Sequence, residues 1–103
     1  MRIKRRYVAL QLDGEHMPSE HEFLEAVWRS LAQIYGESGA SMASLVLVEY
    51  DADAGRAILR VSLAALEMVR AALVLMTRVG NGALAVHVLR VSGTLRALRN
   101  SKD

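Results

Sequence analysis

The chain has no cysteine, a single proline, and only one tryptophan, one phenylalanine and three tyrosines among its 103 residues. Without thiols there is no disulfide framework and no thiolate chemistry, which suits an intracellular protein. With so few rings, Val, Leu, Ile and Ala must fill the interior; apolar residues make up 52% of the chain, ample for one packed core. No apolar run approaches the roughly 18 residues needed to span a bilayer, so no membrane segment is expected. The start, Met1-Arg2-Ile3-Lys4-Arg5-Arg6, is basic, but an alternating strand follows it instead of a signal-peptide core, and the cytoplasm is the expected compartment. The length points to one domain over residues 1–103.

Charge is present in both signs but unevenly placed. The net charge is +2. Residues 1–12 carry Arg2, Lys4, Arg5 and Arg6 and no acid, and residues 90–103 carry Arg90, Arg96, Arg99 and Lys102 against Asp103 alone. Between them, five basic residues face ten acids. Either tail alone reads as an ordinary solvated terminus. Whether the tails meet in space decides what they do.

Residues 2–13 read as a strand in which Val8, Leu10 and Leu12 alternate with Tyr7, Ala9 and Gln11, ending at Asp13-Gly14. Ser19 followed by Glu22 is a capping box, and Phe23, Val27, Leu31 and Ile34 then recur at helical spacing, with Leu24, Trp28 and Tyr35 widening the stripe. Gly36 can stop that helix in a left-handed conformation, leaving a small-residue loop from Gly36 to Ser44 before a strand from Leu45 to Tyr50. Asp51-Ala52-Asp53-Ala54-Gly55 is hairpin-loop chemistry, and Ala57, Leu59 and Val61 alternate with Ile58 and Arg60 in a third strand. Ser62 can cap a second helix with Leu66, Val69, Leu73 and Met76 inward and Glu67, Arg70, Val74 and Arg78 outward, broken by Gly80-Asn81-Gly82. A fourth strand spans Ala83 to Val91, and Ser92-Gly93-Thr94 opens a short basic helix from Leu95 to about Arg99.

The order strand-helix-strand-strand-helix-strand predicts a ferredoxin-like, RNA-recognition-motif-like α+β sandwich: a four-stranded antiparallel sheet, two packing helices and a short carboxy-terminal helix. With right-handed crossovers the first and fourth strands become antiparallel neighbours. Arg2 to Arg6 then lie beside Arg90, Arg96 and Arg99, and the two basic tails form one patch, the footprint of a polyanion site. Both faces of the sheet read apolar, yet two helices cover only one. The face bearing Ala9, Ile58 and Leu89 is therefore expected to be shielded by the terminal helix, a second copy or a partner protein.

Few patterns suggest chemistry. Ser92-Gly93-Thr94 at a helix start, with Arg96 one turn on, is either a phosphate seat or an ordinary cap. Asp51-x-Asp53-x-Gly55 fails as a calcium loop, because the fifth position is Gly55 and the twelfth Ser62. His16, His21, Glu15, Glu20 and Glu22 cluster in sequence without being fixed on one face, so no metal site is expected, and His87 reads as a sheet histidine. No nucleophile–base pair and no nucleotide-binding fingerprint can be assembled, so no active site is expected on this chain. Tyr7 is the lone aromatic of the first strand and the third has none, which favours phosphate and shape contacts over base stacking.

With these segments in place, the chain resembles the ribonuclease P protein component 2 family. The matching pieces are Lys4-Arg5-Arg6-Tyr7-Val8-Ala9-Leu10, the helix Glu22 to Tyr35 ending at Gly36, and Arg56-Ala57-Ile58-Leu59-Arg60-Val61. Val69-Arg70-Ala71-Ala72-Leu73 and Val91-Ser92-Gly93-Thr94-Leu95-Arg96 complete the likeness. The resemblance implies a subunit that binds the catalytic ribonuclease P RNA and supports Mg²⁺-dependent removal of 5′ leaders from precursor tRNA. The RNA would hold the Mg²⁺ and perform the hydrolysis. It also implies a barrel-like partner, protein component 3, with further protein subunits and a possible homodimer. Expected RNA contacts are Arg2, Lys4, Arg5, Arg6, Tyr7, Arg90, Ser92, Gly93, Thr94, Arg96 and Arg99, and expected protein contacts are Ala9, Ile58 and Leu89. Family members often continue past this ending with further helix, and contacts of such an extension are not carried over. From other classes, a small-ligand-sensing dimeric module or a structural adaptor would share the fold, distinguished by a saturable ligand-induced thermal shift or by the absence of salt-sensitive RNA binding.

Overall fold

The fold comes from a computed structural model, which describes residues 3–76, 78, 79 and 82–100. Arg2 and the last three residues lie outside this range. Five strands, β1 (Arg5–Gly14), β2 (Val46–Asp51), β3 (Arg56–Ser62), β4 (Arg78–Val79) and β5 (Gly82–Ser92), form one sheet in the order β2-β3-β1-β5-β4. The pairings are antiparallel throughout. Helices α1 (Glu20–Met42) and α2 (Leu66–Leu75) form a second layer, and α3 (Leu95–Asn100) ends the described chain. This is the expected ferredoxin-like layout, with β1 between β3 and β5.

The core lies between the sheet and the α1/α2 layer. Alternation sends Val8, Leu10 and Leu12 of β1 and Leu59 and Val61 of β3 inward, where Phe23, Val27, Leu31, Val69 and Leu73 meet them; all ten are essentially inaccessible. Burying a side chain of this size contributes roughly 1.5–3 kcal/mol, so this strip outweighs any surface contact in the molecule. Tyr50 closes one end: its ring lies 5.7 Å from that of Phe23, and its hydroxyl donates to the Pro18 carbonyl.

Four local expectations need correction. Gly36 does leave the helical region, at φ 80°, but the helix resumes beyond it and runs to Met42 instead of giving way to a loop. Ile34, expected inward, is 41% exposed, and beyond the break burial is taken up by Ala40 and Ala43. Ser62 does not cap α2: its hydroxyl donates to the Met42 carbonyl at 2.9 Å, and a 3₁₀ turn, Leu63–Ala65, precedes the helix. That bond ties the end of β3 to the end of α1, and a buried hydroxyl needs such a partner. The second helix stops at Leu75, and Arg78, expected on its outer face, belongs instead to the two-residue edge strand β4, paired with Ala83.

Candidate nucleic-acid interface

One face of the sheet carries the core and the other is open except where α3 crosses it. On β1 the residues alternating with the core set are Arg5, Tyr7, Ala9 and Gln11. Register then builds rows across this open face. Ala9 stands between Ile58 of β3 and Arg90 of β5, and Tyr7 stands between Arg60 of β3 and Ser92 of β5.

A bulge makes those rows possible. Leu84, Val86 and Val88 point to the core, and continued alternation would turn Arg90 and Ser92 inward as well. Instead Ala9 pairs with Arg90 while Leu10 pairs with Val88, leaving Leu89 as the extra residue. The phase reverses there, Val91 packs against the core, and Arg90 and Ser92 come out on the open face. A second irregularity, between Leu47 and Glu49 of β2, sets Glu49 opposite Ile58.

α3 lies over the middle of this face. Leu98 is 4% exposed and borders, with Ala9, Ile58, Leu89, Arg56, Arg90 and Arg99, a hollow of about 180 Å³. Ile58 is thereby buried, whereas Leu89 remains 39% exposed. Of the three covers expected for the open face, the terminal helix supplies one in part. Arg99 reaches the edge strand, its Nη2 donating to Glu49 Oε1 at 2.7 Å.

The tails converge as topology requires. A Cβ on Gly93 would sit 3.7 Å from Arg6 Nη1, so the Arg6 guanidinium lies against the turn between β5 and α3. The same Nη1 donates to the Arg5 carbonyl at 2.9 Å. Lys4 and Arg5 are exposed at this end, as is Arg96 on α3. Thr94 Oγ1 accepts from Ala97 N at 3.1 Å and Ser92 Oγ accepts from Thr94 N at 3.3 Å, so the two hydroxyls act as caps that aim the short helix. Two further cations share the face. Arg56 and Arg60 flank Ile58 on β3 at the open-face phase, and Arg56 borders the same hollow as Arg90 and Arg99. Their spacing of two on either side of Ile58 is the sequence signal that marks them. The Nε of Arg60 is buried and has no hydrogen-bond partner among the described residues.

The opposite end of the sheet has another character. Asp13, Glu15, His16 and His87 border an open cleft of about 910 Å³ whose apolar wall includes Val74 and Met76. His87 Nε2 lies 3.4 Å from Asp13 Oδ2. Of the remaining sequence candidates, His21 contacts Glu25 at 3.1 Å, and Asp51 Oδ1 accepts from Ala54 N at 3.1 Å in the expected turn. Among the described residues, no three of His, Asp and Glu converge closely enough to hold a metal ion.

Comparison with known proteins bears on the family and the fold. The sequence model of the Rpp14/Pop5 family matches residues 6–101. Ribonuclease P protein component 2 of Thermococcus gammatolerans is 31% identical over 99 residues, covering 96% of this chain and 82% of that protein. Its counterpart in Pyrococcus horikoshii is 28% identical over the same shares. In solved structures, a chain of yeast ribonuclease MRP has the same fold, with a TM-score of 0.73 at 18% identity, covering 93% of this chain and 79% of that one.

Proposed function

Because the chain belongs to the Rpp14/Pop5 family, whose sequence model spans nearly all of it, we propose that it acts as a protein subunit of ribonuclease P. In this reading it binds ribonuclease P RNA through the basic end of its open sheet face and supports 5′-leader removal from precursor tRNA in the cytoplasm. The carrying observation is the convergence of both tails, with Arg6 against Gly93 and Arg90 turned outward by the Leu89 bulge. Phosphate contacts from such a patch fix register and orientation on the RNA. Mg²⁺ would be held by the RNA, as would the chemistry. Trp28 and Tyr35 on α1, each 40% exposed, and Val74 and Leu75 on α2, at 71% and 62%, favour a protein partner on the helical layer. Protein component 3 is the partner proposed for it.

The test is binding to the ribonuclease P RNA of the source organism across a salt series. Removing one cation–phosphate pairing reduces the log–log slope by roughly 0.7–0.9. Replacing Arg5 and Arg6 together with Ala is expected to weaken binding and flatten the slope, and replacing Arg96 is expected to do so by a smaller step. Arg29, engaged with Glu25 at 2.6 Å on the outer face of α1, and Arg70 on α2 are the controls expected to matter little. Equal weakening in the controls would overturn the assignment.

A further inference from the structure

We propose that Tyr7 and Arg60 form a seat for one unpaired nucleotide of single-stranded RNA, on the open face of the sheet beside α3. This rests on the reading of the chain as an RNA-binding subunit and adds to it a site with base contact. The two residues are Cα partners across β1 and β3 and alternate with Val8 and Leu59, which are fully buried on the other side. Their side chains therefore rise next to each other from the open face. α3 seats Leu98 among Ala9, Ile58 and Leu89, one row further along, so the Arg60–Tyr7–Ser92 row forms the rim of that cover on its basic side.

The chemistry of the row fits a nucleotide. Tyr7 is half-buried and is the aromatic residue of the row, the side-chain type on which unpaired bases stack. Arg60 is half-buried too, and its Nε is dry with no acceptor among the described residues. Its stem is already immobilised against the sheet, so less freedom is lost when the guanidinium takes a ligand. The row that contains it, Val46, Arg60, Tyr7 and Ser92, has no carboxylate. Of the two acids of β2 on this face, Glu49 is engaged by Arg99, and Asp51 stands opposite Arg56, two rows away, where it accepts from Ala54 N. Arg5, two residues before Tyr7 on the same face, is exposed, and Arg6 borders Gly93. Positive charge with one ring beside it calls for a phosphate followed by a base. The base must be free of pairing, because in a duplex its faces are already stacked.

The experiment uses the full chain with a short oligouridylate and, beside it, an RNA hairpin of matched phosphate count. Tyr7→Ala is expected to weaken oligouridylate binding at least about fivefold with the salt slope unchanged, to leave hairpin binding near the parent value, and to be rescued by Tyr7→Phe. Arg60→Gln is expected to weaken oligouridylate binding and lower its salt slope by about 0.7, and Arg60→Lys to restore the slope. Should Arg60→Gln fail to fold, photocrosslinking of thiouridine-substituted oligouridylate to the unaltered chain decides. A crosslink on Tyr7 supports the seat, and crosslinks confined to the helical layer overturn it. Parent-like binding by both Tyr7→Ala and Arg60→Gln overturns the seat alone if Arg5→Ala/Arg6→Ala still loses affinity, and overturns the subunit reading with it if that variant also binds normally. An acidic peptide that binds as tightly as oligouridylate and competes with it also overturns the seat.

Discussion

Ser19 N donates to Glu22 Oε1 at 2.9 Å while Ser19 Oγ accepts from Glu22 N at 3.1 Å, so two amide groups that helix geometry leaves unpaired find partners within one turn. The Ser19 backbone N–H, and after it the Ser19 side chain, holds the Glu22 carboxyl below its ordinary pKa. A carboxyl with a lowered folded pKa stabilises the fold above its unfolded value, and that contribution is lost as pH falls through the folded value. Urea titrations over the acid range should therefore show the parent losing stability below the ordinary glutamate pKa, and Glu22→Gln losing less. Ser19→Ala should cost about 1 kcal/mol at neutral pH. The pattern of Ser followed three places on by Glu is legible because a capping box is a local event. Ser62, without a glutamate three places on, also looks like a cap from its place before an apolar helical stretch, but its carbonyl partner, Met42, lies 20 residues away and becomes visible only when β3 and α1 pack. Gly55 shows the reverse case: its φ of 66° needs glycine locally, and a Cβ there would also come within 2.6 Å of the Leu12 carbonyl oxygen on β1. Gly55→Ala should lower stability by more than the roughly 1 kcal/mol of a conformational penalty alone, measurable as a fall in the urea midpoint with unchanged slope.

Whole elements are legible where they repeat a period for long enough, as β1 and the first part of α1 do. They are hidden where a break resets the period. The bulge at Leu89 is the instructive case. The apolar residues Leu84, Val86, Val88 and Val91 are spaced by two, two and three, so the phase shift is written in the sequence, yet alternation alone hides its consequence. Arg56 and Arg60 are obscured for a related reason: a charged residue on a central strand reads as solvated until the face it occupies is known. α3 is too short to be stable as an isolated helix. Its seat is Leu98, its cap is Thr94, and the Arg99–Glu49 pair, about half exposed on both sides, is worth at most about 1 kcal/mol. Leu98→Ala should accordingly free α3 locally. The Leu98 amide, bonded to the Thr94 carbonyl at 3.2 Å, should lose hydrogen-exchange protection while amides of β1 keep theirs. Leu59→Ala, at the centre of the main core, should instead lower global stability by about 3 kcal/mol, and equal global destabilisation by the two variants would show that α3 is part of the cooperative unit.

At the scale of the molecule the sheet is polar along its strands. One end gathers Lys4, Arg5, Arg6, Arg60 and Arg96, and the other gathers Asp13 and Glu15 beside His16 and His87. Such a gradient orients the chain on a polyanion before any close contact forms, drawing the basic end in and turning the acidic end away. The chain's proposed effect on leader removal is one of placement: cations at the basic end take over phosphate screening that free Mg²⁺ would otherwise supply. This yields a prediction for a reconstituted reaction of ribonuclease P RNA, this chain and its protein partners on precursor tRNA. The chain without RNA should cleave nothing. In the full mixture, Arg5→Ala/Arg6→Ala should move the Mg²⁺ concentration needed for half-maximal cleavage upward, and saturating Mg²⁺ should restore most of the rate. Arg29→Ala should leave the Mg²⁺ curve where the parent puts it. Ile58→Glu, which forces a charge under α3, should impair assembly more than Gln33→Glu on the outer face of α1, and that defect should persist at high Mg²⁺, since added cations replace screening but not a seat for Leu98. A basic-end variant whose defect is equally deaf to Mg²⁺ would mean that these arginines set geometry and do not neutralise phosphate.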